Sequence, residues 1–257
     1  QDQIEKEFQA LIELYQFYYK KFRITKYSMR LSLHDAENKA KYVDNPPAWE
    51  YSENVIRNVL KGLNISFFEA KGEAAFYGPK IDYQLANLLG REESVSTIQL
   101  DFSNPIKFDL NYIGEDGKEH MAYVIHRAPL STHERMISFL IELYGGAFPS
   151  WMSPLQVRIV PVAPTFAQYA EKLATKLRNN LVRVDVDSSA ESFNKRIRNA
   201  ITHKIPNILI VGGKEQETES ITWRRYCVKE QMTMEFSKFE RLLTQMIRER
   251  TMDNFAD

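Results

Sequence analysis

YVIHRAPLSTHERMISFLIEL, residues 123–143, is the stretch whose reading decides the fold. It opens as a strand in which Val124 and His126 alternate with Tyr123 and Ile125. It turns at Pro129, which cannot donate to a sheet ladder, and continues as a helix with Met136, Ile137, Leu140 and Leu143 at helical spacing. Ser131 and Thr132 suit an N-cap, and Glu134 suits a first turn, where the helix dipole favours an anion. Two choices stand out. His126 ends a strand patterned for burial, and Arg135 puts a cation in the first turn, at a cost of about 0.3–1 kcal/mol. An anion seated on the helix N-terminus would explain the arginine. Taken singly, each has an ordinary explanation: a satisfied core histidine and a surface ion pair.

Working outward, 257 residues leave room for two domains, and 44% hydrophobic with 26% charged residues is a globular balance. No apolar run approaches the ~20 residues of a bilayer span, so no membrane partner is expected. The single cysteine, Cys227, excludes an internal disulfide framework and fits a reducing compartment, the cytoplasm or an organellar matrix. It also excludes a cysteine-rich zinc site. Net charge is zero, but residues 1–150 carry 17 basic against 21 acidic side chains (−4), and residues 151–257 carry 17 against 13 (+4). A mildly basic second half is compatible with nucleic acid and does not establish it.

GGAFPSWMSP, residues 145–154, separates two differently patterned halves, giving expected domains 1–150 and 151–257. The first half reads as a helix at 4–21, a strand near 27–33 and a helix at 47–63. Strands follow at 65–69, 80–85, 95–102, 107–112 and 121–127, with the hairpin signal GEDG at 114–117. Short turns between consecutive strands imply an antiparallel sheet closed by the helix from Ser131. The second half alternates strand and helix at 156–162, 165–178, 182–186, 192–202 and 208–211. That βαβαβ run implies parallel strands. A hairpin at 221–226 and 228–234 and a last helix at 236–250 complete it.

GEAAFYGPKIDYQL (72–85), STIQLDF (96–102), YIGEDGK (112–118) and VIHRAPLSTHERM (124–136), in that order and spacing, resemble the threonyl-tRNA synthetase family of class II aminoacyl-tRNA synthetases. The resemblance covers essentially all 257 residues. It implies an α+β antiparallel-sheet class II catalytic domain, present in part, followed by a small α/β anticodon-binding domain with a mixed five-stranded sheet. The activity it implies is ATP-dependent ligation of threonine to threonine tRNA through threonyl-adenylate, with ATP bound as its Mg2+ complex. A non-catalytic tRNA-binding module or synthetase-like regulator is the alternative.

The resemblance also assigns residues. Arg135 falls on the third-motif arginine that binds the ATP phosphates. Lys80 joins it as a catalytic position, and Tyr77, Thr97, Gln99 and Thr132 fall on the substrate- and ATP-binding face. For Thr132, capping the helix is sufficient reason in itself. His126 falls on one of three zinc ligands that hold threonine through its amino and hydroxyl groups, the other two being expected upstream of Gln1. A site that binds the hydroxyl rejects valine strongly. In the second domain, Arg198, Glu215 and Arg224 fall on anticodon-reading positions, and Lys195 and Arg196 on general phosphate contacts. A carboxylate accepts from base amino groups and a guanidinium donates as a fork.

The chain also departs from the family pattern. The first and second motifs are not among these residues, and His34, His120, His133 and His203 do not fall on zinc-ligand positions. Glu93, Ser94, Val95 and Ser96 stand where many members have tryptophan, glutamine, cysteine and glycine, so a ribose contact from position 94 is shortened. Ser131 stands where glycine is frequent. The family's homodimer runs largely through the first motif, which these residues do not include.

Overall fold

The computed structural model describes residues 2–253. Two compact units, residues 1–139 and 140–257, make up the chain. In the first, helix α1 (Asp2–Lys21) is followed by β1 (Ser28–Leu33), α2 (Pro46–Gly62), β2 (Phe68–Lys71), β3 (Lys80–Ala86) and β4 (Glu92–Asp101). The short helix α3 (Asn104–Lys107), β5 (Asn111–Ile113), β6 (Glu119–Met121) and β7 (Val124–Ala128) complete the run, and α4 (His133–Tyr144) continues past residue 139 into the second unit.

Helix α1 forms because Ile4, Phe8, Ile12, Tyr15 and Tyr19 recur at three- and four-residue spacing, and all five are buried. Helix α2 starts where Asn45 accepts from Ala48 N at 3.3 Å and two prolines fill the first turn. It buries Trp49, Val55, Ile56, Val59 and Leu60. The main sheet has the order β2-β1-β3-β4-β7. Every pairing is antiparallel except β1 with β2, which are joined through α2 and run parallel.

Cross-strand register builds two rows on one face, Ser32–Lys80–Gln99–His126 and Arg30–Asp82–Thr97–Ala128. Residues between them point to the other face, where Leu31, Ile81, Tyr83, Ile98 and Leu100 are buried. The Tyr15 ring, tilted, and the Tyr19 ring, edge-on, pack against Tyr83 there with centroids 5.4 and 5.3 Å from it. Burial pushes the hydroxyls of all three well above the usual tyrosine value.

Two expected strands differ. Residues 107–112 are not one strand: the Asp101 carboxylate accepts from Ser103 N and Asn104 N, both at 2.9 Å, and Pro105 follows, so a helical turn starts instead. Residues 121–127 split between β6, in its own two-stranded sheet with β5, and β7, the sheet's edge. His126 is correspondingly not on a buried strand; its side chain is 43% exposed.

In the second unit, β8 (Val157–Pro161) leads through a 3-10 turn at Pro164–Phe166 into α5 (Ala167–Asn179). β9 (Val184–Val186), α6 (Phe193–Thr202), β10 (Asn207–Val211), α7 (Gly213–Glu217), β11 (Ser220–Arg225), β12 (Gln231–Glu235) and α8 (Phe236–Glu249) follow. The sheet order is β12-β11-β10-β8-β9, with β9, β8 and β10 parallel and β11 and β12 antiparallel. Val157, Ile159, Leu209, Val211 and Trp223 face α5 and α8. Val160 and Ile208 pack with Ile197 and Ala200 of α6 on the other side. At one end, Asp253 accepts from Ser150 N at 2.9 Å and from the Ser150 hydroxyl, while its main-chain oxygen accepts from Arg225.

Candidate functional site

The open face of the first sheet carries most of the polar residues singled out in the sequence. The FYGPK turn is strapped to the end of β4 by Leu100 N to Pro79 O at 3.1 Å and Phe102 N to Tyr77 O at 3.3 Å. Gly78 is required by this close approach, because a Cβ there would lie 1.8 Å from Leu100 O. The turn brings Tyr77 over the row, where its hydroxyl donates to Gln99 Oε1. Gln99 Nε2 donates to Thr97 Oγ1 at 3.2 Å, and the Tyr77 and His126 rings lie 5.1 Å apart. Burial, then the nearby Asp101 carboxylate, raises the Tyr77 hydroxyl above its ordinary value, so it stays a donor at neutral pH.

Two fully buried carboxylates hold this face, and the sequence reading assigned neither. Asp82 accepts from Lys80 Nζ at 2.7 Å, from the Ser32 hydroxyl at 2.7 Å and from Arg30 at 2.9 Å. Asp101 accepts from Asn104 Nδ2 and pairs with His126 Nε2 at 2.8 Å. Burying a carboxylate costs several kcal/mol unless donors surround it, and here they do. The available signal was alternation: Arg30 and Ser32, like Lys80 and Asp82, occupy polar positions between core residues of their strands. Ser94 Oγ takes Gln84 Nε2 at 2.7 Å and Arg30 at 3.4 Å, so the short residue at this position is covered by a cross-strand glutamine.

Behind the face, the Tyr15 hydroxyl donates to Thr97 O at 2.7 Å. The Ser96 hydroxyl donates to Pro129 O at 2.6 Å, so Tyr19, 2.8 Å away, must donate to Ser96. These bonds tie α1 to the turn before α4. In that turn Ser131 has φ +56, the left-handed region that favours glycine. Thr132 Oγ1 accepts from Arg135 N at 3.4 Å, a long cap. Arg135 is half exposed and lies 3.6 Å from Glu93, an exposed pair of the kind worth about 0–1 kcal/mol. Among the described residues no group of three or more His, Cys, Asp or Glu could hold a metal ion. A zinc site needs three protein ligands, and these residues do not supply them.

The second unit has its own open face, on β11 and β12. Glu215 sits in α7; its Oε2 accepts from Gly212 N at 3.0 Å and its Oε1 from the Thr222 hydroxyl at 3.0 Å. Thr222 Oγ1 is also 2.9 Å from Thr233 Oγ1. Arg224 follows two residues along β11, on the same side, half-buried. Arg198 is exposed on α6. Lys195 pairs with Glu191 at 2.8 Å at the surface. Arg196 corrects the expectation of a phosphate contact: it is buried and donates to Asp187 O at 2.8 Å, clamping the loop before α6.

Comparison with known proteins covers both units. Residues 1–144 match the family described as tRNA synthetase class II core domain (G, H, P, S and T), and residues 156–246 match the anticodon binding domain family. The threonine–tRNA ligase of Oceanobacillus iheyensis is 46% identical over 247 residues, covering 96% of this chain and 38% of that protein. One from Streptococcus pneumoniae is 47% identical over 239 residues, 93% of this chain and 37% of its own. This chain therefore spans less than half the length of such relatives. The solved structure of the RNA binding domain of threonyl-tRNA synthetase from Cryptosporidium parvum superposes with a TM-score of 0.88 at 28% identity, over 95% of this chain and 61% of that one.

Proposed function

The chain belongs to the class II aminoacyl-tRNA synthetases, as the C-terminal region of the threonyl branch, and from that premise we propose that its parent protein ligates threonine to threonine tRNA with ATP. The proposed functional division is 1–150 for the catalytic part and 151–257 for the anticodon-binding part. The observation that carries the reading is the ordered row Lys80–Gln99–His126 with Tyr77 above it.

In this reading a threonine carboxylate oxygen attacks the α-phosphorus of ATP, the bond to pyrophosphate breaks, and a mixed anhydride forms. A tRNA ribose hydroxyl then attacks the carbonyl and AMP leaves. Such chemistry needs positioning and charge stabilisation more than a nucleophile. Arg135, loosely held by Glu93, turns to the phosphates. Lys80, fixed by Asp82, offers a cation at the phosphorus. Tyr77, Thr97 and Gln99 form a hydrogen-bonded chain that orients the amino acid, and Thr132 caps the helix that carries Arg135. His126 is the proposed zinc ligand of the parent. Asp101 pairs with its Nε2, so a metal at this ring would be held through the other nitrogen, Nδ1. The described residues do not complete that site. Both buried carboxylates are occupied in holding the face, Asp82 by Lys80, Ser32 and Arg30 and Asp101 by His126 and the turn before α3, so magnesium would arrive bound to the ATP phosphates. Glu215, Arg224 and Arg198 read the anticodon, with Lys195 as a phosphate contact.

A second reading, a tRNA-binding module without ligase chemistry, is favoured by Ser94, a short side chain whose hydroxyl oxygen already accepts from Gln84 and Arg30. Two assays on residues 1–257 test the residue assignments, and threonine-dependent exchange by the full-length parent separates the readings: exchange there supports the ligase, and its absence the binding module. Gel-shift binding to threonine tRNA should depend on the anticodon, and loss of that dependence would end the tRNA assignment. Threonine-dependent ATP–pyrophosphate exchange should be absent, because the second-motif arginine is not among these residues. Robust exchange would overturn the catalytic division.

A further inference from the structure

On the open face of the second sheet an acid and a base bear on the same side of β11 and, among the described residues, make no ion pair with each other. Glu215 and Arg224 flank Thr222, and Arg224 is two strand positions from it, about 7 Å along β11. An arginine can span that gap, yet among the described residues Arg224 makes no ion pair with Glu215. The hydrogen bonds account for this. The Thr222 hydroxyl donates to Glu215 Oε1 at 3.0 Å, so its one proton is spent. Thr233, 2.9 Å away across the strand pair, must therefore donate to Thr222. A directed relay runs Thr233 to Thr222 to Glu215. Gly212 N fixes the other carboxylate oxygen at 3.0 Å. Each oxygen has one donor and keeps capacity for another.

We propose that Thr222, backed by Thr233, is a positioning residue that holds the Glu215 carboxylate away from Arg224, so that both side chains remain available to base edges. This rests on reading the face as the base-reading surface. Without the relay the carboxylate swings to the guanidinium, and each spends its hydrogen-bonding capacity on the other. Glu215 then presents no fixed acceptors, and Arg224 presents no fork.

Thr222→Val keeps the shape and suits a strand, so the sheet should survive. The test uses residues 1–257 with threonine tRNA and with the same tRNA carrying single anticodon changes. Thr222→Val should lower discrimination about tenfold, the scale of one lost base contact, while Thr222→Ser retains it. In the RNA-free protein, Thr222→Val should shift and sharpen the Arg224 guanidinium resonances as an ion pair to Glu215 forms, and Glu215→Gln in the same background should reverse this. Unchanged discrimination together with unchanged resonances overturns the proposal. Equal losses in the valine and serine variants also overturn it, because packing and not the hydroxyl would then be responsible. If the unaltered chain shows no anticodon preference, the base-reading assignment fails, while the resonances still judge the positioning.

Discussion

On the first sheet Asp82 ties down Arg30 and Lys80, and Asp101 ties down His126, whereas on the second sheet Glu215 and Arg224, among the described residues, make no ion pair with each other. The two faces look alike as patterns of polar residues on strands, and they differ in where the hydrogen-bonding capacity is spent. A small ligand undergoing reaction needs its cations fixed in advance, and a buried carboxylate does that. A base edge must be met by donors and acceptors not already used, which is what the proposed threonine relay would leave on the second face.

The contrast is most easily broken at Asp82. Asp82→Ala leaves two cations beside each other without their acceptor and should destabilise the first unit by about 3–5 kcal/mol, read as faster hydrogen exchange of β3 amides. A loss below about 1 kcal/mol would mean that the cluster does not hold the face. Arg224→Ala on the second face should leave folding intact. It should cost about 1–3 kcal/mol in threonine tRNA binding and relax discrimination at one anticodon base. An equal loss for every tRNA would make Arg224 a phosphate contact, and the contrast would narrow. Ser131→Gly, in the turn beside the first face, should stabilise by about 1 kcal/mol, because the left-handed backbone no longer strains a Cβ; thermal unfolding would show it.

The smallest effect is expected from a pair that touches neither face. The Arg57 guanidinium, through its hydrogen bond to the carboxylate, holds Glu69 below the ordinary glutamate value. A carboxyl lowered on folding stabilises above its unfolded pKa and loses that contribution as pH falls through the folded value. Acid unfolding should therefore show a term of at most about 1 kcal/mol below the usual carboxylate range, absent in Arg57→Ala.

Periodicity exposed the helices and most strands, because each buries one stripe or one alternate set. It did not expose the parallel pairing of β1 with β2, which depends on where α2 returns the chain. Nor did it expose α3, which an acceptor three residues before it creates. Lys80, Thr97, Gln99 and His126, singled out by motif resemblance, lie in two adjacent rows of one sheet face. Asp82 and Asp101, which bond Lys80 and His126, and Arg30 and Thr222, which bond Asp82 and Glu215, were not singled out, because a residue that acts through a neighbouring side chain leaves no spacing pattern of its own. Arg196 was misread because a basic residue near a helix start looks the same in sequence whether it faces solvent or a loop carbonyl.

The link between Ser150 and Asp253 has a topological consequence. Positions at the two ends of the second sheet's unit lie within hydrogen-bond reach, so the unit is nearly a closed ring of chain. Joining residues 150 and 253 through a short glycine linker and opening the turn at 226–230 would give a circular permutant. Its sheet order and polar face would be those of the natural connection, because neither depends on where the ring is cut.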